Sequence, residues 1–252
     1  MGRQHAEAIA SANGIPILAD LPGSQPVELA ASLSEEWGKE VVGYALDITQ
    51  EAEIERVKSG VMERFGRIDI LINNAAHNPK MMGSAGSLGR LETFPLEQWE
   101  ADIAVGLTGA FLCSKIFGSE MAKNGAGVIV NIASDLSLIS PDQRLYRLDQ
   151  VAEEQQPVKP ITYSVVKTGL IGMTRYLATY WARNGVRVNA ISPGGVYNFQ
   201  DDPLVARLSQ LIPLGRMAHV HEYQGALLFL CSEASSYMTG TNLVVDGGRT
   251  CW

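Results

Sequence analysis

Short apolar runs alternate with longer stretches of helical periodicity along this chain of 252 residues. The apolar runs are rich in β-branched residues, and each predicts a buried strand. They are Ile15–Ala19, Val41–Leu46, Ile68–Ile72, Val128–Ile132, Val186–Ile191 and Leu243–Val245. The periodic stretches predict helices at Val27–Trp37, Glu51–Phe65, Glu97–Lys123, Ile161–Arg183 and His221–Cys231. This alternation predicts an α/β fold, a Rossmann-like, doubly wound parallel sheet in a single domain spanning residues 1–252.

Two stretches, His77–Glu92 and Ser140–Pro160, fit neither pattern and predict irregular structure. Ligands of open parallel sheets bind beyond the carboxyl ends of the strands. We therefore expect the cleft to be lined by the residues that follow the apolar runs, most of which are small or polar. They are Asp20, Asp47, Asn73–Ala76, Ser134 and Ser192–Val196.

Composition excludes several classes of protein. Hydrophobic residues make up 46% of the chain and charged residues 19%, unlike a disordered chain, and the net charge of -7 argues against a nucleic-acid-binding surface. No apolar run reaches the roughly 18 residues of a membrane-spanning helix, and no signal peptide is visible. Cys113, Cys231 and Cys251 are too few and too scattered for a disulfide framework or a zinc site. We expect a cytoplasmic protein without a bound metal.

Tyr163 and Lys167 lie four positions apart at the start of a predicted helix and therefore share one helix face. A tyrosine acts as a general acid or base only if its pKa of about 10 is brought toward neutrality, and a nearby ammonium group favours the phenolate. Ser134, just beyond the fourth apolar run, could bond the same substrate oxygen. On spacing alone, a pair of surface residues is the simpler interpretation of Tyr163 and Lys167.

Five motifs in a fixed order change that interpretation. They are Asn73–Ala76, Asn131–Ser134, Tyr163–Lys167, Ser192–Gly195 and Asp246–Gly248. Together they resemble the short-chain dehydrogenase/reductase family, and the resemblance covers the whole chain from Gly2 onward. It implies hydride transfer between a carbinol or carbonyl carbon and a nicotinamide cofactor.

The resemblance also implies roles for individual residues. Tyr163 would be the general acid/base, Lys167 would lower its pKa and bind the nicotinamide ribose, and Ser134 would position the substrate oxygen. Further residues are expected to contact the cofactor. They are Gly2, Asn73, Ala75, Pro193, Gly194 and Val196. A homotetramer or homodimer is implied as well, with Leu243–Val245 and Trp252 as candidate interface residues.

The choice of cofactor rests on Asp20, which ends the first predicted strand. A carboxylate there accepts hydrogen bonds from a ribose 2′-hydroxyl and repels a 2′-phosphate, and the next residue is Leu21 rather than an arginine. We therefore expect NAD rather than NADP, although a simple turn would explain Asp20 as well. Asp47 and Ile48 resemble the family's adenine contact, and an N-cap of the following helix is the alternative role for Asp47.

The resemblance is incomplete at the N-terminus. Met1 and Gly2 align with the last two positions of the family's glycine-rich phosphate turn, and the strand and the glycines before them are absent. In the family's strand order, that strand is central. We expect the native chain to start upstream of Met1 and to carry this strand; a degraded, weakly folding relative is the alternative.

Gly106 stands where the family usually carries an asparagine that holds a water of the proton relay. Glycine has no side chain and costs about 1 kcal/mol of helix propensity relative to alanine. A water could still bind a carbonyl group freed at a glycine bend. We therefore expect Gly106→Asn to be tolerated.

Ser134 and Tyr163 are 29 positions apart, a much longer spacing than the family shows. The extra segment, about 141–160, must pass near the cleft. Its cationic and aromatic side chains include Arg144, Tyr146, Arg147 and Lys159. Because arginine suits bidentate binding of phosphate or carboxylate, one hypothesis is that Arg144, Tyr146 and Arg147 hold an anionic, sugar-like substrate. A solvated face balanced by the segment's own acidic residues is an equal alternative.

His77 and Lys80 follow the Asn73–Ala76 motif on the same side and could assist, although a loop histidine is more often simply solvated. Ser134–Arg147 and Pro157–Leu170 resemble short-chain oxidoreductases of bacterial surface-polysaccharide and nonulosonic-acid pathways. Two other functions stay open. One is an epimerase or dehydratase of the family's extended branch, and the other is a pseudoenzyme that serves as an oligomeric scaffold without cofactor turnover.

Overall fold

The structure, a computed structural model, describes residues 1–77 and 89–252. Lys80 lies outside the described residues. The strands are β1 (Ile17–Asp20), β2 (Val42–Ala45), β3 (Ile70–Asn73), β4 (Gly127–Ile132), β5 (Val186–Pro193) and β6 (Asn242–Val245). The α-helices are α1 (Gly2–Ser11), α2 (Pro26–Trp37), α3 (Glu51–Phe65), α4 (Leu96–Ile103), α5 (Ala110–Asn124), α6 (Ile161–Trp181), α7 (Asp202–Gln210) and α8 (Gln224–Cys231).

Every predicted strand is present, and all strand pairs are parallel. The α/β prediction is therefore confirmed. The long helix predicted at Glu97–Lys123 is three segments, because a π-helical turn at Ala104–Gly109 joins α4 to α5. Helices α1 and α7 were not predicted.

The parallel strands form two separate sheets rather than one. β1 pairs with β2, and β3 to β6 form a second sheet in the order β3-β4-β5-β6. β1 does not pair with β3. Both strands are half-exposed over most of their length, whereas the carboxyl half of β4 and most of β5 are buried. The strand that the resemblance places between β1 and β3 is not among the described residues, and the gap lies where that strand would pair.

Helices cover both faces of the larger sheet. Ile129 and Val130, neighbours on β4, are both fully buried and belong to different core clusters, because successive side chains of a strand point to opposite faces. Ile129 packs with α5 and α6 through Met121 and Trp181. Val130 packs with α1 and α8 in a cluster that includes Leu227. This two-sided cover leaves the carboxyl ends of the strands as the open edge of the molecule.

The helical stretch Leu96–Asn124 is long and apolar enough to span a membrane by length and composition alone. More than half of its most apolar window, 56%, is buried inside the protein. Phe117 on α5 contacts the sheet-facing residues of α3, in the same cluster as Ile54 and Val57. The stretch therefore packs as a core helix.

Candidate active site

Ser134 follows β4 directly and lies at the centre of the carboxyl edge of the larger sheet. The residue is only 4% exposed. Its Oγ donates a hydrogen bond to Asp135 Oδ1 at 2.8 Å and accepts one from the backbone N–H of Leu136 at 3.2 Å. These two bonds hold the hydroxyl group in one orientation at the start of a short 3₁₀ turn.

Tyr163 and Lys167 lie in the first turns of α6, which begins at Ile161 just after Pro160. Lys167 Nζ donates a 2.7 Å hydrogen bond to the Ile132 carbonyl oxygen at the end of β4. This bond fixes α6 against the strand that carries Ser134. The structure therefore brings Ser134, Tyr163 and Lys167 together, as the sequence motifs predict.

The net shift in the pKa of Tyr163 is upward from the usual value of 10.0. Burial is the largest cause; a hydrogen bond with the Ser134 hydroxyl group opposes it, and the Asp135 carboxylate adds to it. This direction is opposite to the one expected from Lys167 alone, whose Nζ lies 5.9 Å from the centre of the Tyr163 ring. The phenol form of Tyr163 is therefore the stable form at neutral pH in this structure.

A second lysine, Lys159, reaches the same tyrosine from the segment 141–160. Its Nζ lies 4.0 Å from the centre of the Tyr163 ring, a cation–π distance. Burial lowers the pKa of Lys159 to about 8, and Asp135 opposes that shift. The pKa of Lys167 also falls to about 8, through burial and then through repulsion by Lys159. The site thus holds two ammonium groups that titrate near the same pH.

Gln143 holds the backbone of Lys159 at both polar atoms. The Lys159 N–H donates to Gln143 Oε1 at 2.8 Å, and Gln143 Nε2 donates to the Lys159 carbonyl oxygen at 3.4 Å. These two bonds close the two ends of the segment 141–160 onto each other. The sequence showed a lysine here, but only this closure explains why it faces Tyr163.

Unlike Lys159, the two arginines of the segment 141–160 form ion pairs at the protein surface. The Arg144 guanidinium bonds Asp142 at 2.7 Å with its side chain 83% exposed, and Arg147 bonds Glu153 at 2.6 Å with both side chains half exposed. These pairs fit the solvated-face alternative. Tyr146, in contrast, lies inside the site: burial raises its pKa to about 12, Arg249 opposes this and the charge of Tyr163 adds to it.

Asp135 and Arg249 form a buried ion pair beneath Ser134. Arg249 Nη1 donates to Asp135 Oδ2 at 2.6 Å, and the two side chains are 7% and 4% exposed. Sequence reasoning missed both residues. Their positions beside recognised motifs could have indicated a role at the site, because Asp135 follows Ser134 and Arg249 follows the glycine pair at 247–248.

Gly106 packs directly against Val166 of α6. A Cβ atom built on Gly106 would lie 2.5 Å from Val166 Cγ1, and Val166 is only 6% exposed. A side chain at position 106 therefore requires Val166 to move. The expected tolerance of Gly106→Asn is wrong for this packing, because the space for the new side chain is already filled.

The residues expected to bind the adenosine half of a cofactor lie along the strand ends. Asp20 is exposed at the end of β1, and its Oδ1 accepts a 2.7 Å bond from the backbone N–H of Leu21. Asp47 Oδ1 accepts from the N–H and the hydroxyl group of Thr49, at 2.9 and 2.8 Å. Gln50, rather than Asp47, is the N-cap of α3. The alternative role of Asp47 as an N-cap is therefore wrong, while Ile48 packs on Gly109 of the π-helical turn.

Asn73 is buried, and its side chain ties the sheet together rather than facing the cleft. Its Nδ2 donates to Ser114 Oγ at 3.0 Å and to Asn131 Oδ1 at 2.8 Å. Asn131 Nδ2 continues the network to Thr174 Oγ1 at 2.8 Å. Ala75, two residues further along, is exposed at the strand end.

Two of the glycines expected to contact the cofactor, Gly194 and Gly2, lie close to other parts of the chain. A Cβ on Gly194 would lie 2.8 Å from the Asp246 Cα, so only glycine fits between β5 and the chain after β6. Pro193 ends β5, and Val196 forms an isolated bridge with Ala218. Gly2 starts α1, and a Cβ there would lie 3.4 Å from Asn74 Nδ2.

These donors and acceptors fit a dinucleotide. The α1 N-terminus suits a phosphate group, and the exposed Asp20 carboxylate suits a ribose hydroxyl group. Gly2, Asp20, Ala75, Pro193, Gly194 and Val196 all border that open edge.

Comparison with known proteins gives one consistent picture. The profile of the family described as enoyl-(acyl carrier protein) reductase matches residues 1–250. The D-threitol dehydrogenase of Mycolicibacterium smegmatis is 32% identical, with 99% of this chain and 88% of that protein covered. The NAD-dependent glycerol dehydrogenase of Listeria innocua is 31% identical, with 99% and 89% covered.

A solved structure agrees with these relatives. The crystal structure of a gluconate 5-dehydrogenase from Burkholderia cenocepacia, in complex with NADP and tartrate, superimposes with a TM-score of 0.84 at 26% identity. The match covers 99% of this chain and 91% of that chain. The similar proteins thus include one named for NAD and one bound to NADP.

Proposed function

The chain belongs to the short-chain dehydrogenase/reductase family, and we propose from that premise that it interconverts a hydroxyl group and a carbonyl group on a small, sugar-like substrate. The observation that carries the proposal is the convergence of Ser134, Tyr163 and Lys167 on the carboxyl edge of the sheet. We propose that residues 1–252 act as one domain, with the segment 141–160 as an insertion beside the site.

Each of the three residues has one task in the proposed reaction. Tyr163 gives its phenolic proton to the carbonyl oxygen in reduction and takes it back in oxidation. Ser134 positions that oxygen once its hydroxyl proton turns from Asp135 toward it, and Lys167 stabilises the phenolate by its charge. A nicotinamide cofactor, when bound, supplies or accepts the hydride.

The substrate class rests on Lys159. A positive charge against the Tyr163 ring favours a carboxylate or phosphate group on the bound molecule, because opposite charges attract at the site of reaction. The similar proteins act on D-threitol, glycerol and gluconate by their names, so both neutral polyols and a sugar acid are represented. We infer a polyhydroxylated acid; the surface-polysaccharide resemblance stays a prediction.

The anionic group meets Lys159 and Tyr146 in this proposal. Arg144 and Arg147 are less suited, because their guanidinium groups are exposed to solvent, where an ion pair contributes little. His77 lines a small cavity together with Tyr163. Of the three residues that the sequence analysis proposes for binding an anion, only Tyr146 is kept in this proposal, and Lys159 takes the place of the two arginines.

We propose NAD as the preferred cofactor. The support is Asp20, an exposed carboxylate at the end of β1 followed by a leucine, since a 2′-phosphate would meet like charge there. Asp47, Ile48 and the residues named above complete the cofactor site in this proposal. A titration of intrinsic fluorescence with NADH and with NADPH tests the preference, and tighter binding of NADPH would contradict it.

We also propose a cytoplasmic homotetramer or homodimer. Apolar side chains stay exposed on two helices and at the C-terminus, where a second copy could cover them. They include Phe111, Tyr176, Tyr180 and Trp252. Analytical ultracentrifugation measures the assembly directly, and a monomer at micromolar concentration would contradict this part of the proposal.

The function itself is tested by a screen of nicotinamide-linked oxidation. Oxidation is assayed with D-threitol, glycerol, gluconate or tartrate as substrate and NAD or NADP as cofactor. Reduction is assayed with keto acids as substrates and NADH or NADPH as cofactor. We expect turnover on at least one polyhydroxylated acid and none in the Tyr163→Phe variant. Equal turnover in that variant would exclude Tyr163 as the acid/base.

A further inference from the structure

The space that a relay asparagine would occupy is closed in this protein. Gly106 has no side chain, and Val166 fills the position where a Cβ would lie, 2.5 Å from its Cγ1. The two residues belong to neighbouring helical segments, the π-helical turn and α6. A proton that leaves Tyr163 therefore needs a route that does not use a side chain at position 106.

A small cavity lies next to this closed position. It is lined by Ala76, His77, Asp102, Gly106, Thr162, Tyr163, Val166 and Lys167. Its volume is about 10 Å³, which is close to the space that a single water needs. The cavity thus connects the two residues of the acid/base pair to an imidazole ring.

That imidazole is held by a buried carboxylate. His77 Nδ1 lies 2.5 Å from Asp102 Oδ1, and the Asp102 side chain is only 7% exposed. Gln98 Nε2 donates to the same Asp102 oxygen at 2.8 Å, and Thr162 Oγ1 donates to the other. Asp102 is therefore bonded at both oxygens, and it fixes the orientation of the His77 ring.

His77 itself bridges the interior and the solvent. Its side chain is 45% exposed, whereas Asp102 beside it is buried. With Nδ1 bound to the carboxylate, Nε2 is the ring nitrogen left to take up and release a proton. A ring with one edge on a buried acid and the other toward water is suited to proton exchange.

We propose that the His77–Asp102 pair exchanges the proton of Tyr163 with solvent through a water in this cavity. The proposal rests on the proposed function and assigns the proton route of that same site. During oxidation of a hydroxyl group, the Tyr163 phenolate takes the hydroxyl proton and passes it to the water. The water passes a proton to His77 Nε2, and the imidazolium releases one to solvent. No electrons move in these steps, and Asp102 stays a carboxylate throughout.

The charged surroundings agree with this route. Among the residues the structure describes, the titratable groups on the cavity are Asp102 from α4 and Tyr163 and Lys167 from α6, and Lys159 lies on the Tyr163 ring. Lys167 donates to the Ile132 carbonyl oxygen, so its ammonium group is anchored rather than mobile. His77 lines this cavity and also has a solvent-exposed imidazole side chain.

The test compares His77→Gln with His221→Gln, a matched change at a solvent-facing histidine that stacks on His219 away from the cavity. We expect kcat for oxidation to fall by about tenfold or more in His77→Gln, with KM little changed, because proton transfer is slowed and binding is not. Added imidazole should restore kcat, and His221→Gln should match the parent in both measurements. Unchanged kcat in His77→Gln, or a loss that imidazole does not restore, would overturn the proposal.

Asp102→Asn keeps the side-chain shape and separates proton transfer from folding. We expect it to lower kcat and shift its pH profile, whereas a purely structural role would change the melting temperature and leave the pH profile unchanged. The ring ¹⁵N shifts of His77 supply a readout that needs no turnover, and we expect neutral His77 to carry its proton on Nδ1. A proton on Nε2 would contradict the proposal even if no substrate were found, while absent turnover with an Nδ1 proton would count against the proposed function alone.

Discussion

The ammonium group of Lys159 lies 4.0 Å from the centre of the Tyr163 ring, although Lys159 belongs to an irregular segment and Tyr163 to a helix. Pro160 stands between that lysine and the start of α6, and its fixed backbone turns the chain toward the site. The consequence is a positive charge against the proposed acid/base that does not depend on Lys167.

Tyr163→Phe removes the hydroxyl group and leaves the ring. We expect kcat to fall by about 10²- to 10⁴-fold, because proton transfer in the transition state is lost. Thermal unfolding and NADH binding should change little. Tyr176→Phe, at an exposed position of the same helix, is the matched control and should keep full activity. Activity of Tyr163→Phe within tenfold of the parent would contradict the assignment.

Lys159→Gln removes the second positive charge. We expect KM for an anionic substrate such as gluconate to rise by about ten- to a hundredfold, because a charge-assisted bond contributes about 1.5–3 kcal/mol. KM for neutral D-threitol should stay the same. Arg147→Gln serves as control, since its guanidinium bonds Glu153 at the surface. An equal rise in KM for both substrates would indicate general damage rather than charge recognition.

The binding of an anion should weaken as the pH rises through 8. Burial lowers the pKa of Lys159 to about 8, so its charge is present below that pH and is lost above it. If tartrate binding requires one bound proton on Lys159, each pH unit above 8 should weaken that binding by up to about tenfold. Calorimetric titration at pH 7, 8 and 9 measures this slope.

The slope should disappear in Lys159→Gln. Removing Lys159 also removes the repulsion that contributes to lowering the pKa of Lys167, so Lys167 stays charged to higher pH in the variant. A slope that persists unchanged would assign the pH dependence to another group.

Oxidation and reduction should depend on pH in opposite ways. Burial raises the pKa of Tyr163 above 10.0, so its phenol form prevails at neutral pH. The phenol is the proton donor for a carbonyl group, and the phenolate is the acceptor for a hydroxyl proton. We expect kcat/KM for oxidation to rise from pH 7 to 10 and that for reduction to fall. Parallel profiles for the two directions would contradict this assignment.

Gly106→Asn should destabilise the protein because Val166 fills the space for a side chain. Overpacking of this kind costs about 1–3 kcal/mol, measured as the free energy of urea unfolding. Adding Val166→Ala opens the space, so the double variant should be more stable than the sum of the two single changes implies. Additive effects would show that the two positions do not compete for the same volume.

Arg249→Met leaves the Asp135 carboxylate buried without its partner. We expect a loss of about 3–5 kcal/mol in the free energy of unfolding, since an unpaired buried charge is poorly solvated. The double variant Asp135→Asn, Arg249→Met should recover part of that loss. Arg144→Met is the surface control, and loss of its exposed pair with Asp142 should change the free energy of unfolding far less.

The local pattern of the chain was enough for the strands and most helices, and the order of its motifs predicted the three central site residues. Strand and helix periodicity depends on neighbours within a few positions, and each predicted strand is found within two residues of its expected bounds. Ser134 and Tyr163 could be brought together by the sequence because the ends of parallel strands and the helices that follow them meet at one edge. The structure places β1 and β3 in separate sheets, a division that strand periodicity alone does not predict.

The sequence by itself thus determined a doubly wound α/β fold and predicted that Tyr163 and Lys167 lie beside Ser134. Only the tertiary structure decided which cation of the segment 141–160 is buried at the site, because Arg144 and Arg147 find carboxylates nearby in the chain while Lys159 is turned inward. It also decided that Asp135 pairs with Arg249, 114 positions away, and that Val166 closes the space at Gly106. The physical reason is that burial and partner choice depend on distant segments packed together, which local periodicity does not record.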